Sequence, residues 1–204
     1  MVTSTTSGEG GRRGRPRSER SRQAILQATS SLLLEEGLSS ISLDAVAQRA
    51  GTSKATIYRW WPSKETLAME LVLDEWDPKG GESHDRGSLT DDLLDLALPW
   101  TRQLGRRPYG RVIAALIARA QSDPEFAREY RAQFVQPRRE LGRSILARAV
   151  ERGEISRDTD QEVVLDLLFA PFYHRLLHSH APLTERFART VVNHVVAALS
   201  RPIG

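Results

Sequence analysis

The chain has 204 residues, 40% hydrophobic and 27% charged, without cysteine; that allows a well-buried core in one or two domains and excludes disulfides, a thiol nucleophile and a cysteine metal cage. No run of about 18 apolar residues offers a membrane span, and a polar, glycine-rich start with no apolar stretch before Ala24 argues against a secretory signal, so the expected location is cytoplasmic. The net charge of +3 sits in the first third: residues 1–70 carry ten Lys and Arg against seven Asp and Glu and the remainder nineteen of each, which points to a nucleic-acid partner for that end alone.

Residues 1–11 are rich in Ser, Thr and Gly and read as disordered. With Arg12, Arg13, Arg15 and Arg17 they make a basic arm over 1–17. From Ser18 a helical pattern carries Ile25, Ala28 and Leu32 on one face, and Gly37 stops it. Ser42 caps a short helix over Leu43–Ala50, closed by Gly51. Ser53 caps the next, to about Trp60, and Pro62-Ser63 recaps a helix from Lys64 to about Trp76. Pro78, Gly80, Gly81 and Gly87 mark a loop between domains. Ser88 and Asp91 resemble a capping box opening a helix to about Gly105. Further helices are expected over Tyr109–Gln121, from Asp123-Pro124 to about Arg152, over Asp160–His178, and from Thr184 to about Leu199. The fold class is all-α, with about nine helices.

The two short helices joined at Ala50-Gly51-Thr52-Ser53 form a helix-turn-helix layout, with glycine supplying the left-handed turn. Val46, Ile57 and Leu67 suit its small core. Ser53, Lys54, Thr56 and Arg59 lie at the start or on the outer side of the second helix. Short donors and cations there are the groups that meet phosphates and base edges in a major groove.

The stretch Ser42 to Leu67 resembles the DNA-binding domain of the TetR family of bacterial regulators. The Ala-Gly-Thr-Ser turn, Thr56-Ile57-Tyr58, the aromatic pair Trp60-Trp61 and Lys64-Glu65-Thr66-Leu67 occur in register, within a match running from Ile25 to Leu73. Thr52 and Trp60 depart from the family's commoner residues. The resemblance implies that Thr52, Ser53, Lys54 and Thr56 approach bases. It implies that Tyr58, Lys64 and Ser42 hold phosphates, with Lys64 at a helix N-terminus, and that Trp61 packs inside. Ser42, Ser53 and Ser63 are expected as caps with or without DNA, and Tyr58 has a core reading beside the phosphate one. Lys54 and Arg59 are the cleaner DNA contacts. The arm, similar in its Arg-Gly-Arg-Pro core to an AT-hook, reads either as a minor-groove probe or as a phosphate-hugging tail.

The last two helices carry broad apolar faces. Leu167, Ala170, His174 and Leu177 on one, and Phe187, Val191, Val195 and Ala198 on the other, are expected at a two-fold dimer interface, the alternative being burial within one chain. Pro99, Pro137 and Pro171 fall inside helical patterns and should kink them. The nearby aromatics Trp100, Tyr130, Phe134 and Phe172 then read as lining of an apolar pocket, or as plain core. His174, His178 and His180 fit a polar edge of the dimer face better than a metal site. No nucleophile elbow, P-loop or dinucleotide loop is present, so neither enzyme chemistry nor a cofactor is expected.

The resulting expectation is a helix-turn-helix domain over 18–76 and an effector-binding and dimerisation domain over 77–204. The resemblance implies a homodimeric repressor of a palindromic operator in double-stranded DNA, released by a small apolar effector. The second reading is an architectural DNA binder without effector.

Overall fold

The polar punctuation of the sequence becomes helix ends. In the computed structural model, which describes residues 15–76 and 84–199, α1 (Arg15–Glu36), α2 (Leu43–Arg49), α3 (Lys54–Tyr58) and α4 (Lys64–Trp76) form the N-terminal part. The rest is α5 (Leu89–Gly105), α6 (Arg107–Ser122), α7 (Pro124–Tyr130), a π-helical turn (Arg131–Val135), α8 (Gln136–Glu151), α9 (Gln161–His178) and α10 (Glu185–Leu199). Because α7, the π turn and α8 run without a break, there are nine helical rods and no strand among the described residues. The expected caps form: Ser42 accepts from the Ala45 N–H, Ser53 from Thr56, Ser63 from Thr66, Ser88 from Asp91, and Asp123 from Glu125 and Phe126.

Two boundaries of the N-terminal part differ from the sequence reading by two residues or more. α1 begins at Arg15 rather than Ser18, because proline is tolerated in a first helical turn, where its missing N–H would have no partner. Arg15 and Arg17 therefore lie in helix, and Arg12 and Arg13 lie outside the described residues. α3 stops at Tyr58. α5 and α9 continue through Pro99 and Pro171; only Pro137 coincides with a change of helical register. A proline ring crowds the carbonyl four residues back, here Gln133, and a π turn is one way for a helix to absorb that.

α2 and α3 close against α1 and α4 around Ile25, Leu32, Val46, Ile57, Trp61 and Leu67. Trp61 Nε1 donates to Glu70 at 2.6 Å, and Arg22 pairs with the other oxygen of the same carboxylate, tying α1, the middle of α4 and the buried indole together. In the body, α5 packs against α10 and α8, and α8 against α9. Asp92 on α5 is a buried carboxylate: it accepts from the Arg86 N–H at 2.6 Å and from Arg152 at 3.1 Å. That joins the segment entering the body to the end of α8. The N-terminal part rests on α6, which meets both α1 and α4 and also touches α9.

Candidate nucleic-acid interface and ligand cleft

The α2–α3 turn is a left-handed glycine motif. Gly51 has φ +63°. Its N–H reaches the Gln48 carbonyl at 3.2 Å, and the Thr52 N–H reaches that of Ala47 at 2.9 Å, the reciprocal pair that ends a helix sharply and redirects the chain. The turn aims α3 outward. Ile57 is fully buried, while Ser53, Lys54, Tyr58 and Arg59 are exposed and Thr52 and Thr56 half-exposed. Tyr58 is 52% exposed and Trp60 39%, so neither is core. Lys54 donates to Asp44 at 3.0 Å, and the carboxylate raises its pKa, first through that hydrogen bond. Ser42 lies exposed at the start of α2. Lys64 is half-buried, and its ammonium donates to the carbonyls of Ser39 at 3.2 Å and Ile41 at 3.1 Å. It therefore pins the α1–α2 turn to the start of α4, a role the sequence did not reveal because its partners lie far back in the chain.

The aromatics expected to line a pocket are mostly behind it. Trp100, Tyr130 and Phe172 are buried in the core. Trp100 meets Phe169 edge-on at 5.4 Å and Phe172 at 4.9 Å between ring centres. That mutual packing is what removes Trp100 and Phe172 from any open space. Phe134 is buried too, stacked on Tyr130 at 5.2 Å, yet its outer edge reaches a cleft of about 610 Å³ between the π turn, α8 and α9. The other walls are Val135, Arg138 and Arg139 on one side and Asp166, Phe169, Ala170, Tyr173, His174, Leu177 and His178 of α9 on the other. The Arg138 guanidinium lies 4.2 Å from the centre of the Phe134 ring and donates to the Phe134 carbonyl at 3.0 Å. Arg138 and Tyr173, which the sequence reading did not single out, line this cleft; the signal available was Pro137, which marks where the helix changes register.

Residues 83–195 match the family model described as the tetracyclin repressor-like C-terminal domain, and residues 25–71 that of the bacterial regulatory proteins, tetR family. The chain belongs to the TetR family. YdeS of Bacillus subtilis, described as an HTH-type transcriptional regulator, is 38% identical over 181 residues, covering 89% of this chain and 90% of that protein. A DNA-binding transcriptional repressor TetR of Mycobacteroides abscessus is 30% identical over 187 residues, covering 91% of this chain and 97% of that one. The crystal structure of the TetR-family regulator SCO0332 superposes with a TM-score of 0.67 at 34% identity, covering 87% of this chain and 97% of that one. This TetR-family chain is thus a DNA-binding transcriptional regulator, of a family that works as dimers and is not one of enzymes.

The TetR-family body leaves one apolar helix face uncovered. On α9, Leu167 and Leu177 are about half exposed, with Ala170 and His174 exposed between them and Val163 a turn earlier. On α10 the expectation needs correction. Val191 and Val195 are buried within the chain, and Phe187 is half-buried against Phe172 at 5.4 Å. The helix turns this band towards α5 and α9, the cheaper burial for it, and of the expected set only Ala198 stays exposed. His174 lies 4.6 Å from His178 and 4.9 Å from His180 between ring centres. Among the described residues no group of His, Asp or Glu is placed to hold a metal ion, and no helix is long and apolar enough to cross a membrane.

Proposed function

We propose that this regulator is a homodimeric repressor that reads a palindromic operator through α3 and is released by a small ligand bound in its C-terminal body. The observation that carries the DNA half is the division of α3, with Ile57 inward and Ser53, Lys54, Tyr58 and Arg59 outward on a sharply capped turn. In this reading Thr52, Ser53, Lys54 and Thr56 approach base edges, and Ser42, Tyr58 and Arg59 meet phosphates. Lys64 contributes by fixing the turn before α2, and the arginines of the arm, Arg12 and Arg13 among them, are proposed to enter an adjacent groove. Repression is supported by the Mycobacteroides relative named as a repressor.

The exposed face of α9, with Leu167, Ala170, His174, Leu177 and Ala198 of α10, is the surface proposed for the two-fold contact. α6 touches α9, α1 and α4, so a ligand that moves α9 has a physical route to the spacing of the two recognition helices. In this reading the route runs through α6. Release requires that the ligand bind the two spacings with different affinity.

The test is selection of bound sequences from a random DNA pool, with sedimentation of the complex. An enriched palindrome bound by two chains is the expected result. Uniform, salt-sensitive coating without enrichment would replace this reading with that of an architectural binder.

A further inference from the structure

Three of the five histidines of the chain meet at the end of α9. His174 and His178 are one turn apart on the helix, with ring centres 4.6 Å apart, and His180 returns from beyond the helix end to 4.9 Å from His174. All three are exposed. The return is built into the chain. Ser179, which caps α9, has φ +52°, the one positive φ outside glycine among the described residues. A β-carbon disfavours that conformation, so neighbours must hold it. The Ser179 N–H donates to the Arg175 carbonyl at 2.9 Å. The Arg175 guanidinium donates to the Pro182 carbonyl at 2.7 Å and lies 3.4 Å from the centre of the Phe187 ring. Arg175 thus clamps the turn that keeps His180 beside His174.

The acids nearest along the chain are already engaged: Asp166 by Arg139 at 2.6 Å and Glu185 by Arg102 at 3.0 Å. Glu162, at the other end of α9, is held by Arg139 and Arg143. The remaining groups around the cluster are basic or neutral. Across the cleft α8 presents Arg138 and Arg139, and α9 adds Tyr173 and Arg175. α10 carries Arg186, Arg189 and His194, and α6, which meets α9 where Gly110 faces Leu176, carries Arg106 and Arg111. Histidine changes charge between about pH 5 and 8. With rings this close, a second or third proton meets the charge of the first. Water screens that repulsion on an exposed helix end, and a covering chain removes the screen.

We propose that the His174, His178 and His180 cluster makes subunit association pH-dependent, the dimer holding while the cluster is neutral and separating as it gathers protons. This rests on the reading of the exposed α9 face as the subunit contact. His174 lies on that face between Ala170 and Leu177, and the family works as dimers, so a second copy of this chain is the occupant. Association then binds fewer protons than two free chains do. It is strongest above the imidazole range and is lost as pH falls through it.

The test is sedimentation equilibrium of the full chain at about pH 8 and about pH 5.5, either side of the imidazole range and above that of ordinary carboxylates. The wild-type dimer dissociation constant should be at least about tenfold larger at the lower pH, as for one net proton taken up on separation. His174→Gln removes the ring that both others meet and should cut that ratio to below about threefold. His84 and His194 remain in this variant, so a pH dependence that survives in it belongs to them and overturns the proposal. So does a wild-type constant that is unchanged, or smaller, at the lower pH; that comparison needs no variant to fold. Leu167→Asp at the higher pH separates the switch from the face. A monomer supports the contact on α9 whatever the histidines do, and an undiminished dimer overturns both. Operator selection is run at the higher pH, so the DNA-binding reading is judged separately.

Discussion

The Lys54 ammonium lies 3.0 Å from the carboxylate of Asp44, so the first cation of the recognition helix is held by an acid on the helix before it. DNA binding must compete with that pair. Asp44→Asn frees the lysine and removes a negative charge from the DNA-facing surface. It should tighten operator binding by roughly two- to tenfold, and Lys54→Ala should lower the slope of log K against log salt by roughly one. Mobility-shift titrations at several salt concentrations check both, and unchanged affinity in Asp44→Asn would mean the pair persists on DNA.

Ser53 caps the N-terminus of α3 and is also proposed to meet the DNA. Ser53→Ala should cost about 1 kcal/mol of stability through the lost cap. Ser53→Asn keeps an acceptor for the Thr56 N–H and should melt like the wild type. If its operator specificity is nevertheless altered, the serine reads DNA directly; urea melts and binding curves on the same two variants separate the roles.

Asp92 is the anchor between the segment entering the body and the end of α8. Asp92→Ala leaves the Arg86 N–H and Arg152 without their buried acceptor and should cost roughly 3–5 kcal/mol. A chemical-denaturation midpoint close to that of the wild type would remove the anchor from the account.

Glu162 binds α9 to α8 through Arg143 and Arg139, whose hydrogen bonds hold its carboxyl at about 2, well below the ordinary 4.5. A depressed carboxyl contributes its stability above the ordinary value and loses it as pH falls through the depressed one. The tie should therefore be intact at pH 5 and above and give way between about 4.5 and 2. Glu162→Gln should flatten that part of the acid limb, as read from melting temperature against pH.

Gly142 on α8 is where α9 approaches closely, since a β-carbon there would run into the buried side chain of Leu165. Gly142→Ala should cost about 1–3 kcal/mol by overpacking. Thermal melts report it, and an unchanged melting temperature would mean that Leu165 gives way freely.

What the sequence disclosed was local. The caps at Ser42, Ser53, Ser88 and Asp123 need only neighbours within a turn, and each forms. The division of α3 between Ile57 and its polar side follows from helical spacing alone. What depends on distant partners was hidden. Val191 and Val195 have a spacing that fits a subunit contact or the chain's own core equally well, and only the position of α5 chooses between them. Lys64 sits where a phosphate contact is expected, but the carbonyls of Ser39 and Ile41, brought near by α1 folding back, claim its ammonium. Trp100 and Phe172 were rightly clustered and placed on the wrong side of the wall, because aromatic spacing says nothing about which ring faces open space.

The π turn at Arg131–Val135 holds one residue more than an α-helix would need to cover the same ground. Removing a single residue from it would restore a plain helix and rotate all of α8 relative to α7 by about 100°. Arg138 would then leave the cleft, although nothing in the DNA-binding end had been altered. Which side chains α8 turns towards the cleft is thus set by an insertion, not only by their identity, and gaining or losing one codon re-lines that wall in a single step.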